Sequence, residues 1–235
     1  MDEMKLSAPD ETNAPICGGM AMDIDLSSPG ACDAIRRRGR PRAFDPKLVL
    51  EKVLEVFWER GFAATSLDDL AEATGVSRPS LAAAFGDKEA LYIKSMQLYR
   101  KGVNDQLDQV LTCNGSGDSL LGIVRRYFEV MIATYTGESD SCLGCAFMST
   151  AVNEAPRHES IMDMVQTAIA GFDQRFEQFF SQAQLYGCMR SNADPKVLSQ
   201  LIVGLTANIG MRARAGATRQ ELQAIIDDTT AFLFD

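Results

Sequence analysis

Apolar residues recur at helical spacing along most of the chain after residue 45. One face of the first predicted helix carries residues three or four apart: Leu50, Val53, Leu54, Phe57 and Trp58. Asp45 with Pro46 is a strong helix start, and Gly61 supplies the stop. No segment alternates apolar and polar residues over the length of a strand, so the pattern predicts an all-α fold.

Two short helices follow, with a glycine in the turn between them. Ser66 and Ser77 are placed to cap their N-termini, and Gly75 and Gly86 to end them. A short helix, a glycine-containing turn and a second short helix form the pattern of a helix-turn-helix. Further helices are predicted over residues 88–111, 118–136, 144–154, 156–186, 194–214 and 218–234.

The last two predicted helices carry clear apolar stripes. They are Leu198, Leu201, Ile202 and Leu205 in one helix, and Leu222, Ile225, Ile226 and Leu233 in the other. Between the two stripes, small side chains offer a face that allows close approach of another helix: Gly204, Ala207, Gly210 and Ala213.

Charge is distributed unevenly along the chain. The formal net charge is −9, which alone argues against nucleic-acid binding. Residues 1–35 hold seven acidic residues and one lysine, and their composition predicts a disordered acidic leader. Five arginines then fall within seven residues, and no acidic residue interrupts them: Arg36, Arg37, Arg38, Arg40 and Arg42. Such a basic cluster in an acidic chain indicates an anionic partner.

The arginine cluster contains the Arg-Gly-Arg-Pro core of an AT-hook, at residues 38–41. Glycine and proline keep such a segment narrow and extended, and its arginines then fit the electronegative minor groove of A·T-rich DNA. The alternative is a basic tail that binds nucleic acid without specificity. The adjacent helix-turn-helix favours a minor-groove arm, which we place at residues 36–44.

Other protein classes are disfavoured by composition. No apolar run approaches the length of a membrane span, and no signal peptide is evident, so a cytoplasmic location is expected. One histidine, no nucleophile elbow and no glycine-rich phosphate loop argue against an enzyme. We expect no cofactor.

Residues 45–91 resemble the DNA-binding domain of TetR-type transcriptional regulators. The matching stretches are Val56-Phe57, Gly61-Phe62, residues 65–71, residues 73–77, Ser80-Leu81, Phe85 and residues 88–91. The resemblance implies a helix-turn-helix domain at 45–90 and a helical effector-binding and dimerisation domain at 91–235. In such regulators two C-terminal helices of each subunit form a four-helix bundle, here 194–214 and 218–234. The alternative is that their stripes pack only within the monomer.

The resemblance also implies DNA-contacting residues. Arg78, Ser80 and Ala83 of the recognition helix would face the major groove, and Arg78 could bind a guanine edge or a phosphate. Phosphate contacts are implied for Thr65, Ser66, Ser77 and Lys88. The chain departs from the family pattern at Ala82 and Ala84, where aromatic residues or histidine are usual.

A set of aromatic and methionine side chains in the second half of the chain suits an adaptable apolar pocket. It comprises Phe128, Met131, Tyr135, Phe147, Met148, Phe172 and Phe176. The alternative for each is ordinary core packing, and the expectation of a pocket depends mainly on the family resemblance.

Cys142 and Cys145 form a C-x-x-C pair, the one redox or metal candidate. Two thiols with a single histidine in the chain are a poor zinc site, and no basic residue lies near in sequence to activate a thiolate. Structural cysteines are therefore favoured over a redox sensor, and a redox sensor over a metal site.

The sequence thus predicts a homodimeric, ligand-responsive repressor of a palindromic operator. A small apolar effector would release it by changing the spacing of the two recognition helices. The first alternative is a thiol-based redox sensor that uses Cys142 and Cys145. An A·T-binding architectural protein is the alternative of a different class.

Overall fold

A computed structural model of the chain describes residues 44–112, 119–137, 143–189 and 192–234. Within these ranges all regular structure is helical, which confirms the predicted fold class. The α-helices are α1 (Pro46–Arg60), α2 (Leu67–Thr74), α3 (Arg78–Phe85), α4 (Lys88–Val110), α5 (Leu120–Thr136), α6 (Val152–Glu154), α7 (Glu159–Leu185), α8 (Pro195–Arg214) and α9 (Arg219–Phe234). None of these described helices is both long and apolar enough to cross a bilayer.

The first helices begin and end where the sequence predicts. Asp45, Ser66, Ser77 and Asp87 each accept a hydrogen bond from a backbone N–H of the first turn that follows. Gly75 ends α2 in the left-handed conformation with φ +68°, which only glycine adopts without strain. These local signals fix the length of the helix-turn-helix formed by α2 and α3.

An aromatic cluster joins the first helices to α4. Phe57 of α1 lies edge-on to Tyr92 of α4, with ring centroids 5.0 Å apart, and Phe62 contacts both rings. The Tyr92 hydroxyl is 2.6 Å from the Thr150 hydroxyl, beyond the helix-turn-helix in sequence. This core therefore fixes α1 against α4 and connects both to the second half of the chain.

The second half is a bundle in which α7 packs along α8, and α5 packs against both α8 and α9. Tyr127 of α5 is fully buried, and its hydroxyl lies 2.6 Å from that of Thr206 in α8. Such a buried contact fixes the register between neighbouring helices, because a slipped register would leave the Tyr127 hydroxyl without its partner, whereas Thr206 also donates to the Ile202 carbonyl of its own helix.

The segment between α5 and α7 differs from the predicted helices 144–154 and 156–186. A π-helical turn covers Phe147–Ala151, α6 is a single turn, and a 3₁₀ turn covers Ala155–Arg157. Pro156 lies within that 3₁₀ turn, and His158 has extended backbone, so α7 starts at Glu159. The predicted helix at 118–136 likewise starts later, at Leu120, after the Ser119 cap.

The predicted dimer stripes of the last two helices face the interior of the chain instead. Leu198, Ile202, Leu222 and Ile226 are all buried within the monomer, which corrects the expectation that they contact a partner. Leu201 alone among the eight stripe residues is an exposed large apolar side chain. The four residues are buried because α8 packs on α7 and α9 packs on α5.

Candidate DNA-binding face and effector cavity

One face of α3 packs against the core, and the residues on its other face are exposed. Leu81 and Phe85 are buried and attach α3 to the core. Ser77, Arg78, Ser80 and Ala83 are exposed, as a recognition helix requires. The Ser77 hydroxyl caps α3 and lies 2.9 Å from the Ser80 hydroxyl.

Arg78 is paired with an acidic residue of the preceding helix. Its Nη1 lies 3.1 Å from Oδ2 and 3.2 Å from Oδ1 of Asp68. Both side chains are more than half exposed, so the pair is weak and exchangeable. The long donor of α3 is therefore held by a carboxylate that would have to release it for contact with DNA.

Two of the predicted phosphate-binding side chains are oriented inward. Thr65 is 2% exposed, and its hydroxyl donates to the Gly61 carbonyl at 2.7 Å. The Lys88 ammonium donates to the Phe62 and Thr65 carbonyls at 3.0 Å each, and lies 4.2 Å from the Phe62 ring centroid. Both groups stabilise the segment between α1 and α2, so neither side chain is oriented toward a phosphate in this structure, and their DNA contacts stay a prediction.

Ser66 is exposed but belongs to a capping box. Its hydroxyl donates to Asp69 Oδ2 at 2.5 Å, and the same carboxylate accepts the Ser66 backbone N–H at 2.7 Å. The hydrogen bonds from Ser66 hold the pKa of Asp69 below its ordinary value. A negative carboxylate thus lies beside this predicted phosphate contact. The arginine cluster at 36–42 lies outside the described residues.

A cavity of about 230 Å³ opens among α4, α5, α7, α8 and the π-helical turn. Five of the seven predicted pocket residues line it: Met131, Tyr135, Phe147, Met148 and Phe172. Most of the other lining side chains are small or apolar, among them Val103, Val165, Ala168 and Val203. Arg100 is the one charged side chain among the described lining residues.

Phe128 and Phe176 are not cavity residues, contrary to the prediction. Both are fully buried, and their ring centroids lie 4.8 and 4.9 Å from that of Tyr127. The three rings pack against one another, so the apolar stripes of α5 and α7 extend farther than the cavity does. Ordinary core packing is the correct interpretation for these two residues.

Cys145 lines the cavity, and its thiol lies close to the Tyr99 and Tyr135 hydroxyl groups. Cys142 falls outside the described residues, so the C-x-x-C pair is only half described. No cluster of three potential metal ligands occurs among the described residues.

Two family models match this arrangement of domains. Residues 49–94 match the bacterial regulatory proteins of the tetR family, and residues 122–228 match the tetracyclin repressor-like C-terminal domain. The chain belongs to the TetR family. It is accordingly a DNA-binding transcriptional regulator.

Individual TetR-family proteins resemble the chain along most of its length. The HTH-type transcriptional repressor ComR of Escherichia coli K12 is 28% identical over 194 residues, which cover 83% of this chain and 91% of ComR. A cysteine mutant of the regulator CifR, solved with a 26-bp operator, is 26% identical with a TM-score of 0.74. That match covers 82% of this chain and 98% of CifR. Reduced E. coli NemR, at 14% identity and a TM-score of 0.67, covers 77% of this chain and 93% of NemR and shares the fold.

Sequence reasoning missed the contacts that connect the cavity of this TetR-family protein to its DNA-binding domain. Tyr99 of α4 lines the cavity, and its ring lies edge-on to Trp58 of α1 with centroids 5.0 Å apart. The Trp58 indole N–H donates to the Leu143 carbonyl at 2.9 Å. Arg214 of α8 donates both to that carbonyl, at 3.4 Å, and to the Glu59 carbonyl of α1, at 3.2 Å.

The segment at 143–145 approaches α8 so closely that both the segment and the helix need a glycine at the point of contact. Gly144 has φ +64°, and a Cβ there would lie 2.6 Å from the Gly210 carbonyl oxygen. A Cβ on Gly210 would lie 2.9 Å from the Cys145 Cβ. The small-residue face predicted on α8 is therefore used within the chain, and at Gly210 it is used by the segment at 143–145.

A second junction joins the first turn of α4 to the start of α7. Glu89 accepts hydrogen bonds from the Ser160 hydroxyl and lies 2.8 Å from Nδ1 of His158. The Ser160 bond first, and then the His158 bond, hold the pKa of Glu89 below its ordinary value. The His158 ring also lies edge-on to Phe62, at 5.0 Å.

Proposed function

We propose that the protein is a homodimeric repressor that binds a palindromic operator and leaves it when a small effector occupies the cavity. The DNA-bound CifR structures and the repressor function of ComR support the operator part of this proposal. Binding of an effector would favour a conformation whose two recognition helices are wrongly spaced for successive major grooves.

The contact between Tyr99 and Trp58 carries the ligand-responsive part of the proposal. Tyr99 is at once a wall of the cavity and the packing partner of α1. The Trp58 indole is also hydrogen-bonded to Leu143, two residues before the cavity residue Cys145. A molecule that displaces either wall therefore acts directly on α1, the helix that supports α2 and the recognition helix.

Dimerisation through α8 and α9 is supported by large apolar side chains that the monomer leaves exposed. They are Val197, Leu201 and Met211 of α8 and Phe232 of α9. Phe232 is 88% exposed, and burial of such a side chain contributes about 1.5–3 kcal/mol. A two-fold partner that covers this face would place two copies of α3 on one side of the dimer.

The exposed residues Arg78, Ser80 and Ala83 are proposed to contact the major groove, with Ser66 and Ser77 beside the phosphate backbone. The arginines at 36–42 are proposed as a minor-groove arm that supplies much of the phosphate-dependent affinity. The acidic residues around α2 should keep that affinity modest and strongly dependent on salt.

Selection of bound DNA from a random library by the purified protein tests the proposal. We expect a palindrome whose half-sites are separated by about one helical turn, or about 10 bp. Footprinting on the selected site should then give discrete symmetric protection. Broad protection of A·T tracts would instead favour an architectural protein, and an unpaired half-site would contradict the dimer.

A thiol-based sensor is the second candidate function, because the Cys145 thiol lies at the cavity wall. In that case an oxidant would release the protein from the selected operator. Oxidant-dependent release that is abolished by Cys142→Ser or Cys145→Ser would favour this candidate. Release by a non-oxidising effector that survives both substitutions would favour the first.

A further inference from the structure

One side of the cavity is left open by the chain itself. Four of the residues that line it are also exposed to solvent and thus form its mouth: Met148, Val152, Ile169 and Gly204. The first three are large apolar side chains, each between 36% and 50% exposed. Contact of such a mouth with water is unfavourable, so it is a surface that another apolar group should cover.

The exposed side of α8 carries a line of uncharged residues that passes through this mouth. They follow one another at intervals of four and three, the spacing of a helix that packs along another helix: Val197, Leu201, Gly204, Asn208 and Met211. Val197, Leu201 and Met211 are between 46% and 58% exposed. Gly204 is at the centre of this α8 line and also lines the cavity. The α8 line and the mouth are therefore one continuous surface.

The packing of the single chain gives no steric reason for a glycine at position 204. A Cβ there would meet no atom within 4 Å. Glycine in the interior of a helix is about 1 kcal/mol less favourable than alanine, but it allows a second segment to approach the helix closely. The open space beside Gly204 therefore fits another helix that crosses α8 at the mouth of the cavity.

The lack of charge on the α8 line favours a second copy of this chain as that partner. None of its five residues is ionisable. Where two identical helices cross near a two-fold axis, each residue meets its own copy or a close neighbour, so a charged line would bring like charges together. The same face of α8 supports the homodimer proposed above, and the dimer interface and the mouth thus share Gly204.

We propose that the second subunit completes the effector cavity by closing its mouth at Gly204, so that effector binding and dimerisation strengthen each other. The inference rests on the proposed function, because it takes the homodimer and the effector from there. It adds that the effector site belongs to the dimer and that a single chain holds only part of it.

Naphthalene tests the coupling with the intact protein. An apolar cavity of about 150 Å³ holds benzene, so the cavity of about 230 Å³ should hold the two fused rings of naphthalene, whose own fluorescence reports binding. We expect naphthalene to bind about tenfold more weakly when the protein is diluted to monomer. By linkage at two sites, saturating naphthalene should lower the dimer dissociation constant about 100-fold in sedimentation equilibrium.

Leu201→Glu separates the effect of the partner from that of the cavity wall. Leu201 belongs to the α8 line, does not line the cavity and is exposed in the single chain, so the variant should fold. It should weaken dimerisation and naphthalene binding together, the latter by about tenfold. Leu185→Glu is the matched control, since Leu185 is exposed but belongs neither to the line nor to the cavity. It should leave both properties unchanged.

Gly204→Leu tests the close approach against a matched glycine. Gly171 of α7 is also an exposed helical glycine whose Cβ would meet no atom within 4 Å, but it does not line the cavity. Both Gly204→Leu and Gly171→Leu replace a helix-interior glycine that faces open space, so both subunits should stay folded. Only Gly204→Leu should weaken dimerisation.

Equal naphthalene affinity for monomer and dimer would overturn the inference, as would a failure of naphthalene to bind the dimer or wild-type dimerisation of Gly204→Leu. Each of these results leaves the proposed homodimeric repressor in place. A wild-type chain that stays monomeric would overturn both. Operator release is measured separately: if naphthalene strengthens the dimer and the operator stays bound, the inference stands and the ligand-responsive part of the proposed function fails.

Discussion

Substitution of Asp68 by asparagine should strengthen operator binding. In the free protein Asp68 holds Arg78, the long donor of the recognition helix, at 3.1 Å. An exposed pair of this kind is worth about 0.2–1 kcal/mol, which must be given up when Arg78 turns to DNA. Its removal should therefore raise affinity about 1.4- to fivefold for each subunit, and about two- to 25-fold for a dimer.

Stability should change in the opposite direction. Asp68 lies in the first turn of α2, where a carboxylate interacts favourably with the helix dipole by about 0.3–1 kcal/mol. Asp68→Asn should thus lower the thermal midpoint slightly while DNA affinity rises. A general improvement in folding could not produce that combination.

Fluorescence anisotropy with the selected operator, measured over a range of salt concentrations, gives the affinities. Glu177→Gln on the exposed surface of α7 makes the same change in net charge and should leave affinity nearly unchanged. In the Arg78→Ala background the gain from Asp68→Asn should largely disappear. Unchanged or weaker binding by Asp68→Asn, or a full gain without Arg78, would refute the reasoning.

Four further predictions concern the arm, the core, the junction and the dimer. Deletion of residues 36–42 should weaken operator binding and flatten its dependence on salt in anisotropy titrations; an unchanged slope would exclude the arm. Tyr92→Phe should lower the free energy of unfolding by about 1 kcal/mol in urea denaturation, because the Thr150 hydroxyl loses the hydrogen bond that it accepts from Tyr92 and keeps only the one that it donates to the Ala146 carbonyl. Because hydrogen bonds lower the pKa of Glu89, the stability advantage over Glu89→Gln should be complete above about pH 4.5 and decline as pH falls further; denaturation midpoints measured across that range check the sign. Phe232→Glu should weaken dimerisation in sedimentation equilibrium. Leu185 of α7 is also highly exposed, so Leu185→Glu is the control and should leave dimerisation unchanged.

The DNA-binding helices could be predicted from sequence because their boundaries depend on local chemistry. Ser66 and Ser77 cap the helices that follow them, and Gly75 ends α2 in the conformation expected of glycine. The later segment at 144–157 was less predictable, since the π-helical and 3₁₀ turns follow from how it packs between α5 and α7. Periodicity alone does not distinguish such turns from regular helix.

The orientations and partners of the functional side chains were harder to predict than the helices that carry them. Thr65 and Lys88 lie at the expected positions, but their polar groups bond to carbonyls of the α1–α2 connection. Tyr99 and Trp58 have no special feature in sequence, because their contact joins residues 41 positions apart on different helices. Only the three-dimensional arrangement shows which apolar residues enclose space and which fill it.

The central claim is that occupancy of the cavity controls DNA binding, and a cavity-filling substitution tests it without an identified effector. Ala168 lines the cavity on α7, whereas Ala170 of the same helix is exposed. Ala168→Leu should lower affinity for the selected operator by about tenfold or more, with dimerisation and thermal midpoint preserved, and Ala170→Leu should bind like wild type. Wild-type operator affinity in a folded, dimeric Ala168→Leu protein would contradict the account.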